Sequence, residues 1–418
     1  MRVLVLHPRD PAAPTVGGIQ TFLHDFLKYA PTDFEITVAG TTRDRHARPI
    51  GRQQQVSIDG RMVTVLPLAP SGGLPHDPIG LLAVAVAQLR LRAAMLRGTA
   101  ILQVHRPYRP VYLAGHRGPR VQFVHVDIRD WPGPSAWSQL PRLYRQFSDR
   151  ALHAMARIFV VNEPGADILR SEHPEIAQRI EFLPVWYDPA TFHPPLDNER
   201  SRLRAALLTE LTGQEIHASD VAKEQLVLFA GRLDAIKDPN LALDTFAALV
   251  TQRGARHARL VIAGSGELRD PVERRAAALG LAGRVHFLGD IARARLADIM
   301  RAADVLLLTS QAEGGGPRVV LEALACGLPA VAPPVGEVRR IVEHLVDGWL
   351  FDGREPDAIA DGIGWVLDQP RETIAAAAVR AAAPFAVERV LIRVYDAYRR
   401  LAGASEPDQM PAAAADRS

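Results

Sequence analysis

Three features are scarce or missing in this chain of 418 residues, and each narrows the possible classes of protein. The single cysteine, Cys326, excludes an internal disulfide framework and suits a reducing compartment. No Asp-x-Asp triplet occurs, so the paired carboxylates that often hold a catalytic divalent cation are missing, and we expect neither a metal nor a cofactor. Lysine occurs only at Lys28, Lys223 and Lys237, which makes a well-placed lysine more informative than one of the many arginines.

Long apolar runs are also missing. The longest, Ile79–Leu89, is too short to cross a bilayer, which takes about 20 residues. Met1–Leu6 has a strand pattern instead of the basic and apolar segments of a signal peptide, so we expect a cytoplasmic protein. The net charge of +2 gives no reason to expect a nucleic-acid partner. The first 200 residues carry 23 Lys+Arg against 18 Asp+Glu, which leaves peripheral contact with the inner face of a membrane open.

Short apolar runs alternate with helix-length segments through most of the chain. Unbroken apolar runs are typical of parallel strands that are covered on both faces. Ten such strands are predicted: 3–6, 35–39, 101–104, 121–124 and 158–161 in the first half, and 226–230, 260–263, 285–288, 305–308 and 330–332 in the second. Two sets of alternating strands and helices predict an α/β protein with two doubly wound, Rossmann-like domains.

A proline-rich connector between the two sets fixes the expected domain boundaries. Residues 183–195 contain four prolines and interrupt the alternation. We therefore predict an N-terminal domain over residues 1–186 and a C-terminal domain over 187–385. A helix over 386–402 is expected to pack back on the first domain, and residues 403–418 to be a disordered tail. Because ligands bind at the carboxyl ends of parallel strands, the two domains should face each other across a cleft that holds the chemistry.

Two cations lie on the loop that follows the strand 226–230. Gly231 and Arg232 leave the strand, Lys237 comes five residues later, and Pro239 opens a helix. Two positive charges at the mouth of a parallel sheet suit a diphosphate, since each contributes on the order of 4 kcal/mol at about 4 Å in a partly aqueous setting. A solvated surface arginine is the plainer interpretation of Arg232 alone, but the pair favours a functional role.

The segment from Thr309 to Pro329 combines a glycine run with a buried carboxylate. Gly314, Gly315 and Gly316 precede Pro317, which opens a helix that stops at Gly327. Free amides before a helix can bind an anion or sugar hydroxyls. Glu322 falls inside an otherwise apolar helix and needs a partner, for which a ribose diol is suitable. The alternative is a buried glutamate that caps a neighbouring loop.

These motifs together resemble the retaining GT-B glycosyltransferases of family 4. The resemblance rests on Gly231-Arg232 with Lys237, on Gly264-Ser265-Gly266, and on the segment from Glu313 through Glu322 to Pro329, and it covers nearly the whole chain. It implies that Arg232 and Lys237 hold the donor diphosphate and that Glu322 binds the ribose. Glu313 and the amides of residues 314–316 would contact the transferred sugar. Gly264 and Gly266 would approach the donor, although a Gly-Ser-Gly turn alone is a weak signal.

The resemblance extends to the first half of the chain. Gly17 and Gly18 are similar to the paired glycines at the family's first loop, and His125 to the histidine that faces the donor sugar and its phosphate. Residues near His125 are expected on the acceptor side: Asp127, Asp130 and Trp131. Two departures stand out. Eight residues separate Glu313 from Glu322 where the family usually has seven, and Asn162 occupies a position where serine is common.

The sequence therefore predicts a metal-independent glycosyltransferase with a UDP- or GDP-sugar as donor. The acceptor can be a glycan, a lipid-linked molecule or a small molecule. Three alternatives remain at this point. A non-hydrolysing sugar-nucleotide epimerase would act on the donor alone, and a non-catalytic module would bind the donor without releasing a nucleotide diphosphate. A phosphorylase is disfavoured because no lysine lies in a setting suited to a pyridoxal cofactor.

Overall fold

A computed structural model describes residues 1–7, 10–12, 18–70, 98–105, 116, 118–125, 141–215, 217–313 and 316–403. The chain divides into two compact units, residues 1–183 with 391–418, and residues 184–390. The sequence places the boundary between 186 and 187, whereas this division places it between 183 and 184. The predicted tail beyond residue 403, the run Ile79–Leu89 and several site residues lie outside the described part.

The first unit contains an eight-stranded sheet in the order β3-β4-β2-β1-β5-β6-β7-β8. Its strands are β1 (Arg2–Leu6), β2 (Glu35–Thr42), β3 (Gln54–Ile58), β4 (Arg61–Pro70), β5 (Ile101–Val104), β6 (Arg120–Val124), β7 (Arg157–Val160) and β8 (Ile180–Phe182). Its helices are α1 (Gly18–Tyr29), α2 (Pro141–His153) and α3 (Glu163–Glu172), with a 3₁₀ helix over Pro174–Arg179. All pairings are parallel except that of β3 with β4.

The second unit contains a six-stranded parallel sheet in the order β11-β10-β9-β12-β13-β14. Its strands are β9 (Gln225–Ala230), β10 (Ala258–Ala263), β11 (Val285–Gly289), β12 (Val305–Leu307), β13 (Ala330–Ala332) and β14 (Gly348–Leu350). Its helices are α4 (Glu199–Thr212), α5 (Ala218–Val221), α6 (Pro239–Gln252), α7 (Arg269–Ala278), α8 (Arg293–Ala302), α9 (Arg318–Ala325), α10 (Val338–Ile341), α11 (Pro356–Asp368) and α12 (Arg371–Ala382), followed by a 3₁₀ turn over Ala383–Phe385 and by α13 (Val387–Leu401), whose last turns belong to the first unit.

The strands of the second unit are apolar throughout because both faces of the sheet are covered. Leu226 and Leu228 of β9 lie in one hydrophobic cluster with side chains of α4, α8 and α9. Val227 and Phe229 of the same strand lie in a second cluster with side chains of α6, α7 and α11. Successive side chains on a strand point to opposite faces, so a doubly wound sheet requires apolar residues at every position. The predicted α/β class and all ten predicted strands are confirmed.

Four strands were not predicted, and each has a local reason. The pair β3 and β4 forms a hairpin around Asp59-Gly60, both of which have positive φ, as a two-residue turn of this type requires. An Asp-Gly dipeptide between alternating segments is the signal that indicates this hairpin. The strands β8 and β14 have three residues each and, unlike the equally short β12 and β13, contain Glu181 and Gly348 instead of an unbroken apolar run. The β3–β4 pairing also makes the first sheet mixed instead of wholly parallel.

Two buried tyrosines hold in place the part of α13 that belongs to the first unit. The Tyr395 hydroxyl donates to the backbone oxygen of Phe26 at 2.9 Å, and the Tyr398 hydroxyl donates to Gln103 Oε1 at 2.7 Å. Burial raises the pKa of both tyrosines well above its ordinary value, so both hydroxyls stay protonated. Among the described residues no helix is both long enough and apolar enough to span a bilayer.

Candidate active site

Lys237 and Glu313 form an ion pair at the carboxyl end of the second sheet. Lys237 lies on the loop between β9 and α6, and Glu313 lies on the loop between β12 and α9. The lysine Nζ donates to Glu313 Oε1, and the two side chains are only 18% and 12% exposed. The strands β9 and β12 are neighbours, so their following loops meet at one edge of the sheet. The structure thus brings together two residues that the sequence separates by 76 positions.

The backbone that carries Lys237 is held in a fixed conformation. Asp238 has φ +47°, a left-handed conformation that costs free energy in a residue with a side chain. Its carboxylate accepts from the amide of Leu241 at 3.2 Å and from Arg354 Nη2 at 2.6 Å. The Thr309 hydroxyl lies within 2.9 Å of the backbone oxygens of both Lys237 and Asp238. These contacts fix the backbone from which the Lys237 side chain extends, and the ion pair with Glu313 orients its ammonium group.

Arg232 differs from Lys237 in its exposure. Its side chain is 73% exposed and its Nη1 lies 3.0 Å from Asp234 Oδ2. Asp234 also accepts from the backbone amide of Lys237 through Oδ1 at 3.0 Å. The same aspartate therefore contacts both residues of the predicted cation pair, and Arg232 extends into solvent on the same loop.

The glycines of Gly264-Ser265-Gly266 are required by the neighbouring backbone. Gly264 has φ +138°, and a Cβ there would overlap with the carbonyl oxygen of Gly231. A Cβ on Gly266 would overlap with the carbonyl of Leu233. The backbone of this turn is hydrogen-bonded to the Gly231–Leu233 segment, with 2.9 Å between Leu233 N and Ser265 O. The motif thus supports the loop that carries Arg232, and its role toward a donor stays a prediction.

Glu322 is buried on α9 and contacts an arginine that the sequence did not single out. Arg293 Nη2 donates to Glu322 Oε1 at 3.1 Å, and the glutamate side chain is 9% exposed. Arg293 begins α8, and its guanidinium lies 5.2 Å from the centroid of the Phe192 ring. The sequence predicts that this buried carboxylate needs a partner, and the structure provides one, the guanidinium of Arg293. Binding of a ribose by Glu322 remains a prediction.

The helix predicted between Pro317 and Gly327 is confirmed. Pro317 is the N-cap of α9, Ala325 is its last residue, and Gly327 has φ +71°, the left-handed conformation common after a helix end. Gly316 is half-buried and lies against Val185, whose side chain a Cβ on Gly316 would overlap. Crowding within the second unit therefore accounts for the glycine at this position.

Three histidines follow three strands that are adjacent in the first sheet. His7, His105 and His125 are the residues directly after β1, β5 and β6. The His105 and His125 rings are nearly coplanar, at 13°, with His105 Nδ1 2.8 Å from His125 Nε2. Of these three histidines, only His125 was expected from the sequence. His7 and His105 show the same pattern, a histidine directly after an apolar strand.

A chain of hydrogen bonds assigns the protons on these rings. The Tyr398 hydroxyl occupies Gln103 Oε1, so the Gln103 amide nitrogen, which can only donate, faces His105 Nε2 at 2.8 Å. Burial, reinforced by His125 and His7, holds the pKa of His105 well below its ordinary value, so His105 is neutral and carries its proton on Nδ1. That proton is donated to His125 Nε2. A neutral His125 therefore carries its own proton on Nδ1.

Of the remaining residues singled out in the sequence, the structure describes Gly18 and Asn162. Gly18 is the first residue of α1. Asn162 is the N-cap of α3 and accepts from the Gly165 amide at 2.6 Å, a role that serine could also fill. Outside the described residues lie Gly17, Asp127, Asp130, Trp131, Gly314 and Gly315.

Comparison with known proteins decides the family. Residues 214–383 match the family described as Glycosyl transferases group 1. A D-inositol 3-phosphate glycosyltransferase of Xylanimonas cellulosilytica is 30% identical over 412 residues, which cover 93% of each chain. The chain belongs to the group 1 glycosyl transferases. It is an enzyme of the glycosyltransferase class.

Solved glycosyltransferase structures share the fold of this enzyme. The sucrose-phosphate synthase of Thermosynechococcus elongatus is similar with a TM-score of 0.74 and 20% identity, and covers 97% of this chain and 100% of that one. The Anabaena protein HepE, solved with UDP and glucose, has a TM-score of 0.70 and 19% identity, and covers 96% and 100%. The GT-B fold that the sequence predicts is confirmed.

Proposed function

We propose that this glycosyltransferase moves a sugar from a nucleotide-diphosphate sugar to an acceptor with retention of configuration and without a catalytic metal. The observation that carries the proposal is the ion pair between Lys237 and Glu313. Lys237 is the residue expected at the donor diphosphate, and Glu313 the residue expected at the transferred sugar. With these roles, their contact would lie where the diphosphate and the sugar of the donor are joined.

The charge of Lys237 suits the chemistry of the leaving group. When the glycosidic bond breaks, negative charge accumulates on the nucleotide diphosphate. An ammonium that is already oriented interacts more strongly with this charge than with the intact donor, and only such a difference accelerates the reaction. Arg232, exposed on the same loop, supplies a second cation for the diphosphate. Cations from the protein then fulfil the role of a divalent metal.

The first unit contributes a neutral donor group. With its Nε2 accepting from His105, His125 carries a proton on Nδ1 that can be donated to a sugar hydroxyl or a phosphate oxygen. A neutral imidazole suits a step in which the protein binds a polar group without adding a full charge.

Relatives supply the first substrates to test. The Anabaena protein HepE has been solved with UDP-glucose, which supports a UDP-sugar as the first donor, ahead of GDP-sugars. Several relatives are named D-inositol 3-phosphate glycosyltransferase, which supports a phosphorylated cyclitol as the first acceptor. Glycan and lipid-linked acceptors follow in the same screen.

The test is release of nucleotide diphosphate from donor and acceptor in the presence of EDTA. We expect release that depends on the acceptor and survives EDTA, and a product whose anomeric proton coupling matches that of the donor. Conversion of the donor without an acceptor would instead identify an epimerase. Donor binding without release across the acceptor screen would identify a binding module, and loss of activity in EDTA that Mg²⁺ restores would contradict the metal-independent mechanism.

A further inference from the structure

Two histidines and a glutamate converge on the surface of the first unit, outside the candidate active site. They are His153 at the end of α2, His173 after α3, and Glu175 in the following 3₁₀ helix. One potential ligand atom from each residue lies within 4.8 Å of the others. His153 precedes β7, and His173 and Glu175 precede β8, so the cluster lies near the amino ends of these two parallel strands. His125, by contrast, follows the carboxyl end of β6.

The local structure holds each of these residues in place. His173 is the C-cap of α3, with its backbone amide donating to Leu169 O at 2.9 Å, and its side chain is buried. Pro174 then starts the 3₁₀ helix that carries Glu175. His153 lies one helical turn after Asp149 on α2, so their side chains share one face of the helix. A preformed arrangement reduces the entropy that ligand binding must overcome.

Both imidazole rings direct one nitrogen toward Asp149 and the other toward Glu175. His153 Nδ1 donates to the Asp149 backbone oxygen at 2.7 Å, and Nε2 donates to Glu175 Oε1 at 2.5 Å, a proton that a bound cation would replace. His173 Nε2 lies 3.6 Å from Asp149 Oδ1, and its Nδ1 lies 3.8 Å from Glu175 Oε1. Histidines that bind metals are oriented in this way, with the distal N–H directed at a carbonyl or carboxylate.

We propose that this cluster binds a divalent transition-metal cation, Zn²⁺ by its ligand chemistry, through His153 Nε2, His173 Nδ1 and Glu175 Oε1. Two imidazoles and one carboxylate suit Zn²⁺ and disfavour Mg²⁺ and Ca²⁺, which prefer oxygen ligands alone. Bonds of about 2.0–2.1 Å in tetrahedral geometry place ligand atoms about 3.3 Å apart. The His153–Glu175 pair therefore has to open, and the His173–Glu175 pair to close, by less than about 1 Å each. A water molecule would complete the coordination.

The bound cation would connect the end of α2 to the 3₁₀ helix. Because the cluster lies away from the carboxyl ends of the strands, its role is to stabilise the first unit and does not involve the glycosyl transfer step. A ligand that binds only the folded state raises the melting temperature, so the site can be detected without an activity assay.

The experiment uses the full chain without a histidine tag, dialysed against EDTA and then titrated with ZnCl₂ in competition with a chromophoric chelator. We expect one equivalent of Zn²⁺ with micromolar or tighter affinity, at least a tenfold loss of affinity in His153→Ala and in Glu175→Gln, and a Zn²⁺-dependent rise in Tm that both variants lack. Millimolar excess of Mg²⁺ should not displace the Zn²⁺.

A matched control is His257→Ala, since His257 is an exposed histidine 3.9 Å from Glu224 Oε1 that belongs to no group of three potential metal ligands among the described residues. This variant should bind Zn²⁺ like the wild type. His153 and Glu175 are both exposed, so their substitution should leave the apo protein folded. Absence of Zn²⁺ binding, or equal binding by the wild type and the His153→Ala variant, would overturn the proposal.

Discussion

The first sheet ends in neutral histidines, whereas the second sheet ends in paired charges. His105 donates a hydrogen bond to His125, and burial holds the pKa of His105 low. The ammonium of Lys237 donates a hydrogen bond to the carboxylate of Glu313. The carboxyl end of the first sheet thus presents uncharged hydrogen-bonding groups, and the carboxyl end of the second sheet presents an ion pair.

Removal of Lys237 should have the largest effect. We expect Lys237→Ala to lower kcat by well over tenfold, on the order of 100-fold, because one preoriented charge on the leaving group is lost. Lys223→Ala is the control, since Lys223 is 59% exposed and pairs with Asp220 away from these loops. The measurement is nucleotide diphosphate release at saturating donor. Near-normal turnover would show that the charge of Lys237 at the second sheet does not assist the leaving group.

Glu322→Gln should have the next largest effect. The substitution keeps the side-chain size but removes the charge that faces Arg293. Hydrogen bonds to charged groups contribute about 1.5–3 kcal/mol, so a lost ribose contact corresponds to about tenfold or more in donor KM. Donor KM and kcat should be measured together with Tm. A lower Tm at unchanged KM would show that Glu322 only supports Arg293.

Tyr398→Phe should have a smaller effect, confined to the hydrogen-bonded histidines of the first sheet. Without the hydroxyl, the Gln103 amide is free to rotate and no longer assigns the proton of His105. We expect kcat/KM to fall about 3- to 10-fold, in line with one neutral hydrogen bond. The ¹⁵N shifts of the His125 ring should show a mixed tautomer.

The matched control for Tyr398→Phe is Tyr395→Phe on the same helix. It loses a hydrogen bond to the backbone oxygen of Phe26 and contacts no histidine through its hydroxyl. Its His125 spectrum should equal that of the wild type. An identical change in both variants would mean that Tyr398 acts only through packing.

Asp347→Asn should change the stability of the protein and leave its activity unchanged. The variant measures how much free energy of unfolding the buried charge of Asp347 costs the second unit. Burial, assisted by the negative charge of Glu343 and opposed by the hydrogen bond from the Glu343 amide, raises the pKa of Asp347 from 3.8 to about 6. The folded protein therefore holds this proton more tightly, so the free energy of unfolding falls as pH rises between about 4 and 6. Asparagine still accepts from the Glu343 amide but cannot ionise. The variant should be more stable than the wild type at pH 7, by about 1–3 kcal/mol, and equal to it near pH 4.

Most of the second unit could be predicted from the sequence because its signals are local. Gly231 and Lys237 follow an apolar strand directly, and Pro317 and Gly327 mark the ends of α9 within 11 residues. Short-range patterns of this kind depend on covalent geometry and on which faces are buried. The Asp59-Gly60 hairpin was equally local and could have been predicted from its turn.

The sequence by itself determined the two apolar, alternating halves and the chemical character of the loops that follow their strands, since each depends on residues a few positions apart. Only the tertiary structure decided which of these loops meet. The order β1-β5-β6 brings His105 beside His125, and the neighbouring positions of β9 and β12 bring Lys237 to Glu313. The packing of α8 against α9 likewise brings Arg293 to Glu322. Strand order and helix packing arise from the fit of whole elements, so no local pattern specifies these pairs.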